Sequence, residues 1–213
     1  MHYSIQQADV ERDRLEIIKL WNKYFQQSPE GRYPWINMKN PAGKALCVLA
    51  KDQKNNGVVG ACALYPRRLS YNGQNIGAGI VGDFVIDHRH RSLWPALAIQ
   101  KRAIRLGQRS GIELLYGFPN ELSEPVFLRA GYKILAQVRR YTRPLHSAYR
   151  VRKYIRESVF NFTISRMIDV ILKTGIQGRA RKWTRKYVFE TKPHFDERFD
   201  QLWDRRRKSH LYL

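Results

Sequence analysis

The stretch from Gly82 to Tyr132 constrains this chain most, because its apolar pattern switches from strand to helix and then repeats the switch. A glycine-rich extended run, Asn75 to Asp87, leads into Arg91. Beyond it Leu93, Leu97, Ile99, Ile104 and Leu106 recur at helical spacing until Gly107 to Gly111. Ile112 to Phe118 then reads as a second buried strand, Pro119-Asn120 opens a second helix running through Arg129, and Gly131 ends it. The result is a strand, a helix start able to hold an anion, a second strand and a closing helix.

The preceding residues supply the rest of one domain. Tyr3 to Ala8 alternates as a first strand, and Asp9 is placed to cap a helix from Val10 to about Gln26. Ser28, Pro29, Gly31 and Pro34 break the chain into a loop, either a lid over a substrate or a plain connector. Ala45 to Ala50 and Val58 to Pro66 pair as a hairpin across Asn56-Gly57. Arg67 to Tyr71 stays extended up to the Asn72-Gly73 turn, and Tyr132 to Pro144 reads as one or two final strands. The order β-α-β-β-β-α-β-α-β predicts a mixed α/β (α+β) domain built on a mixed sheet over residues 1–145.

Charge separates the remainder. The chain carries a formal +21 at pH 7, and between Arg139 and Lys192 fifteen Lys or Arg face only Glu157, Asp169 and Glu190. Residues 146–192 therefore read as a basic, helical extension, with helices over Tyr149 to Lys173 and Gly178 to Tyr187. Phe195 to Trp203 is amphipathic and opens the last segment, 193–213. Such a surplus draws polyanions, and the interleaved Tyr149, Tyr154, Phe160, Phe162, Trp183 and Tyr187 suit an anionic membrane surface or, without sequence specificity, nucleic acid. The plain alternative is a solvated basic helix pair packed on the domain.

No apolar run approaches the roughly 20 residues of a membrane span. The polar start MHYSIQQADVERDR lacks a signal peptide's apolar centre, so a cytoplasmic location is the expectation. Cys47 and Cys62 lie in apolar surroundings without partners at metal-ligand spacing, and both read as buried strand residues. Nothing here fixes an oligomeric state.

Arg91-Ser92-Leu93-Trp94-Pro95-Ala96 lies where a strand hands over to a helix. There unpaired N–H groups and the helix dipole favour a phosphate, and Arg89 and Arg91 add cationic donors. The segment resembles motif A of the GNAT acyltransferases, a Gln or Arg, two residues, Gly, one residue, then Gly or Ala. Arg91 matches the first position and Ala96 the last, while Ile86, His88 and Ser92 stand where that family commonly has Val, Pro and Gly. Trp94 departs from the pattern, and an indole facing the turn would weaken CoA binding. Asn120, Ser123, Val126-Phe127 and Gly131-Tyr132 are similar to the family's second signature. The resemblance covers residues 3 to 144, and Tyr116-Gly117-Phe118-Pro119-Asn120 with Arg91-Ser92-Leu93 is similar to a bacterial polysaccharide-biosynthesis subgroup with tandem GNAT-like halves. Residues 193–213 would then be the truncated start of a second half.

The resemblance implies an acyl-CoA N-acyltransferase fold that uses acetyl-CoA as co-substrate, needs no metal, and moves an acetyl or other short acyl group by direct transfer to a small-molecule or sugar amine. It implies that acyl-CoA lies between the strands at Gly82 to Asp87 and Leu114 to Phe118. Val85 and Ile86 would meet pantetheine, the turn from Arg91 to Ala96 the pyrophosphate, and Asn120 the CoA arm or a water. Amine attack on a thioester needs a proton acceptor and a donor for the departing sulfur. Asp83 is the best-placed carboxylate for the first task or for holding the amine. The family's usual tyrosine acid falls at Phe127, which has no proton to give, leaving Tyr116 and Tyr132 as substitutes. A core role is the competing reading for both tyrosines, and His88 and His90 read as solvent-facing. The alternative function is a degenerate GNAT-fold protein that binds an anionic membrane or nucleic acid through its basic stretch.

Overall fold

The computed structural model describes residues 3–25, 31–139, 141, 166–170 and 190–206. Helices expected over Tyr149 to Lys173 and Gly178 to Tyr187 lie outside the described residues, apart from a helical stretch at 166–170, as do Ser28 and Pro29 of the expected loop. The chain divides into two compact units, residues 1–134 with 198–213, and residues 135–197.

The first unit is built on β1 (Tyr3–Ala8), β2 (Leu46–Asp52), β3 (Val58–Tyr71), β4 (Gln74–Ile86) and β5 (Leu114–Gly117). They lie in chain order across one sheet, antiparallel except for β5, which runs parallel to β4. Helices α1 (Arg14–Tyr24) and α2 (Arg32–Asn37) precede β2; α3 (Leu93–Arg109) makes the crossover from β4 to β5, and α4 (Glu124–Ala130) follows. A final helix, α5, spans Glu197–Arg206 and contains most of the expected amphipathic segment.

Alternation along the strands divides the core into two layers. Cys47, Leu49, Ala61, Ala63 and Tyr65 pack with Ile17, Leu20 and Trp21 of α1 and Tyr33 of α2. Val48, Ala50, Cys62 and Leu64 pack with Ala96, Ile99, Ala103 and Leu106 of α3 and Phe127 of α4. Layers on both faces explain why β2 reads as an unbroken apolar run: Val48, Leu49 and Ala50 are all fully buried. On α3 the spacing of Ala96, Ile99, Ala103 and Leu106 is that of a helix with one buried face.

Four boundaries differ from the sequence reading. Residues 10–13 form a turn, with the Asp9 carboxylate accepting from the Glu11 and Arg12 amides at 2.9 and 3.0 Å, so α1 starts at Arg14. The expected loop contains α2, with Pro34 third in the helix, where its missing N–H would have had no partner. Asn120 and Ser123 bond to one another in a turn, and α4 starts only at Glu124. Tyr132 to Arg139 form no strand; Gly131, at φ +106°, ends α4 as expected.

Candidate active site

Two features of β4 create the site. Beside β5 its pairing runs from Ala78 opposite Leu114 to Val81 opposite Gly117, and there it stops. β4 continues to Ile86, so Gly82 to Ile86 keeps its β3 neighbour and, among the described residues, has no strand paired on its other edge. A free strand edge offers main-chain donors and acceptors to an extended, amide-bearing ligand. The second feature is a bulge: Ala63 faces Gly82 but Ala61 faces Val85, which gives β4 one extra residue. Val81 and Val85, four residues apart, consequently pack into opposite layers.

Asp83 occupies the bulge in the left-handed region, at φ +46°, a conformation Asp tolerates better than most residues. The extra residue turns its carboxylate toward the α1–α2 layer. There Arg32 Nη2, at the start of α2, donates to Oδ1 at 2.8 Å and to Oδ2 at 3.0 Å, and the Tyr65 hydroxyl donates to Oδ2. Burial, reinforced by the Asp83 charge, pushes the Tyr65 pKa far above its ordinary value, so its hydroxyl keeps its proton. Asp83 is thus where the sequence placed it, but already bonded to two groups that the sequence did not single out. Arg32 is 51 residues from Asp83 and sits in what reads as a broken loop, and Tyr65 reads as one more strand aromatic, so no local pattern marks either.

Beyond the unpaired edge of β4 the chain turns through a short 3-10 segment, His88–His90, into α3. Ser92 is the N-cap of α3, yet its side chain makes no capping bond, so among the described residues the Leu93 and Trp94 amides at the helix mouth have no side-chain partner. Pro95 is buried and has no N–H, so it narrows that set of donors. Arg91 is exposed, holds the Ile86 carbonyl through Nε at 3.4 Å and lies over the Tyr24 ring. The Trp94 indole stacks on Tyr3 of β1, with ring centroids 5.8 Å apart and planes 25° apart. β1 is the edge strand farthest from β5, so the indole leaves the opening between β4 and β5 clear.

His88 is exposed, as the sequence suggested, and His90 is half-buried, but each is also bonded to a tyrosine. Nδ1 of His88 bonds the Tyr24 hydroxyl at 2.8 Å, and Nδ1 of His90 bonds the Tyr3 hydroxyl at 3.0 Å. Asn120 is exposed and spends its side-chain oxygen on Ser123, accepting from its amide at 3.0 Å and its hydroxyl at 2.8 Å. Tyr116 is half-buried opposite Ile80, one residue before the strands part. Tyr132 packs on Phe127 at 4.9 Å with its hydroxyl buried and unpartnered, and burial raises its pKa well above the ordinary phenol value. Phe127 also meets Phe84 edge-on at 6.0 Å, plugging the base of the opening with apolar rings. Among the described residues no cluster of His, Cys, Asp and Glu could hold a metal ion, and no helix is long and apolar enough to cross a membrane.

A split between two parallel strands followed by a helix N-terminus is the arrangement the sequence resemblance implied, the bulge in β4 being an addition to it, and the family model of the acetyltransferase (GNAT) domain matches residues 5–135. The chain belongs to the GNAT acetyltransferase family. Compared with curated protein sequences, it finds no match. Among solved structures, a GNAT fold recurs in glucosamine-6-phosphate N-acetyltransferase from Arabidopsis thaliana, at 11% identity and TM-score 0.53, covering 66% of this chain and 99% of that one. AAC(6')-Iy bound to the bisubstrate analogue CoA-S-monomethyl-acetylneamine is similar at 14% identity and TM-score 0.54, covering 68% and 99%. A predicted acetyltransferase from Clostridium acetobutylicum, solved with acetyl-CoA, matches at 14% identity and TM-score 0.51, covering 66% and 96%. These neighbours share the mixed α/β fold class expected from the sequence, although the sheet of this chain has five strands where the sequence reading counted at least six.

Proposed function

We propose that the protein transfers an acetyl group from acetyl-CoA directly to an amine on a small molecule or sugar. The parting of β4 from β5 beyond Val81 and Gly117 carries this reading, because it opens a free strand edge that leads straight to the uncapped start of α3. These residues fit the co-substrate's two halves. The edge from Gly82 to Ile86, with Val85 and Ile86, suits pantetheine amides, and Arg91, Ser92, Leu93, Trp94 and Ala96 suit a pyrophosphate. Asn120 would stand beside the CoA arm.

Acetyl-CoA would supply the acyl group as a reactive thioester. Asp83 receives the proton the amine gives up as its nitrogen bonds the acyl carbon, with Arg32 and Tyr65 fixing the carboxylate in place. Tyr116, half-buried at the mouth of the opening, is better placed than the enclosed Tyr132 to return a proton to the departing sulfur. Direct transfer is favoured because both thiols are buried, and burial pushes the Cys47 pKa up to about 12, which denies it a role as acyl carrier.

Calorimetry with acetyl-CoA, followed by thiol release with a panel of amines, tests the reading. Binding near the micromolar range and amine-dependent release of CoA support it. No binding of acetyl-CoA, together with salt-sensitive retention on anionic vesicles, would favour a binding role for the basic stretch 139–192 instead.

A further inference from the structure

A hollow lies along the same two elements, α2 and β3, that hold the partners of Asp83. It measures about 400 Å³ and is lined by Trp35 and Ile36 of α2, Asn40 and Pro41 after it, and Arg67 and Arg68 of β3. Arg67 is two residues beyond Tyr65, so the two share a face of β3 about 7 Å apart. Helix α2 joins the places as well, since Arg32 at its start holds Asp83 and Trp35, one turn on, walls the hollow. Trp35 is 65% exposed, an unusual setting for an indole.

The charges at the hollow are unbalanced. Arg32 is paired with Asp83, Arg89 with Asp87 and Arg12 with Asp13. Among the described residues no carboxylate pairs with Arg67 or Arg68. Arg67 Nη1 donates to the Pro66 carbonyl at 2.8 Å, and Asn40 Nδ2 donates to the same oxygen at 3.0 Å, which anchors the guanidinium at the rim while leaving most of its N–H groups free. A fixed arginine, a second beside it and an exposed indole make a surface for a ring bearing a phosphate or carboxylate.

We propose that this hollow binds an anionic saccharide, with Trp35 against the sugar ring and Arg67 and Arg68 on its phosphate or carboxylate, and that it seats the part of the acceptor remote from its amine. The second half of that statement rests on the acetyl-transfer reading; the binding itself does not.

Calorimetric titrations of the full chain at roughly 150 mM salt, where surface charge is screened, separate the possibilities. The probes are glucose 6-phosphate, glucuronate, glucose and inorganic phosphate. Both anionic sugars should bind at least about tenfold more tightly than glucose or phosphate alone. The Arg67→Ala/Arg68→Ala variant should lose about tenfold or more, and Trp35→Ala a smaller but clear share. Trp35 and Arg68 are exposed, so Trp35→Ala and Arg68→Ala alone preserve the fold and report even where Arg67→Ala does not. Phosphate binding as tightly as glucose 6-phosphate, or titrations unchanged in the variants, would mean an anion held only by the basic surface and would overturn the proposal. In turnover, glucosamine 6-phosphate should have a lower KM than glucosamine, and the difference should vanish in the double variant. A chain that binds anionic sugars here but never acetyl-CoA would sink the transfer reading and leave the saccharide site standing. Active transfer with equal KM values for both amines would sink the acceptor role alone.

Discussion

Arg32 Nη2 stands 2.8 Å from one carboxylate oxygen of Asp83 and 3.0 Å from the other, and its guanidinium lies over the Trp21 ring at 4.6 Å. The pair joins the first residue of α2 to the bulge of β4, so it fixes the entry to the α1–α2 layer and the aim of the candidate base together. Only 12% of the Asp83 side chain is exposed, which makes the loss of its partner costly.

Replacing Arg32 by alanine leaves a mostly enclosed carboxylate with the Tyr65 hydroxyl alone, and should cost about 1–3 kcal/mol in urea unfolding. Arg32→Lys restores charge without the fork or the stacking over Trp21, and should recover part of the loss. Asp83→Asn added to Arg32→Ala should recover more, because no unpaired charge remains. Equal stability in all these proteins would show that the pair contributes nothing to folding.

Asp87 predicts the shape of the acid limb. Burial favours its neutral form, but the hydrogen bonds from the Lys23 ammonium and the Arg89 amide outweigh burial and hold its pKa well below the usual carboxylate range. A group depressed in the folded state stabilises fully above its unfolded pKa, about 3.9, and loses that contribution as pH falls below it. Stability measured from pH 6 to pH 2 should therefore drop on the acid side, and Asp87→Asn should flatten the drop. An identical acid limb in wild type and variant would rule this out.

Much of this architecture was legible in the sequence because it follows from short-range periodicity. The hairpins at Asn56-Gly57 and Asn72-Gly73, the buried face of α3 and the Gly131 stop all depend on residues within a few positions of each other. The bulge does not: nothing local announces that Val81 and Val85, with the same strand parity, face opposite layers. Arg32 was hidden by α2, whose proline and preceding glycine read as a break, and its partner is supplied only by tertiary structure. Trp94 shows the same limit, since its position in the motif suggested an obstruction and its stacking on Tyr3 decides where the ring goes.

That stacking carries a prediction. Trp94→Gly removes an aromatic pair worth about 0.5–1.5 kcal/mol beyond area burial, so the melting temperature should fall. Acetyl-CoA affinity should stay within about threefold of wild type, because the ring does not stand in the opening. A gain of tenfold or more in affinity on calorimetry would show that the indole does obstruct the turn.

Both cysteines should be silent in the native protein. Burial is the main cause that lifts the Cys47 thiol to about 12 and Cys62 higher still, so almost no thiolate exists at pH 8. Reaction with a disulfide reagent should follow unfolding and speed up with denaturant. Fast labelling of either thiol without denaturant would reopen a covalent acyl-cysteine route.

Gly82 gives the sharpest separation of catalysis from binding. A Cβ there would lie 2.9 Å from Cε2 of Tyr65 and 3.3 Å from Cδ2. Tyr65 is buried in the α1–α2 layer and cannot swing into solvent, so Gly82→Ala must move the ring whose hydroxyl holds Asp83. A base displaced by a fraction of an ångström to an ångström should cost roughly tenfold to a hundredfold in kcat, while acetyl-CoA affinity should change little, because the added Cβ faces Tyr65 in the α1–α2 layer and alanine keeps the main-chain donors and acceptors of the edge from Gly82 to Ile86. Gly79→Ala is the control: its Cβ would meet the ends of Leu115 and Ile112 at 2.9 and 3.1 Å, crowding the β4–β5 pair before the strands part. If both variants lose stability but only Gly82→Ala loses kcat at unchanged affinity, Tyr65 and Asp83 act as one unit in the transfer step. Equal kcat losses would assign the effect to general destabilisation and remove Asp83 from the chemistry.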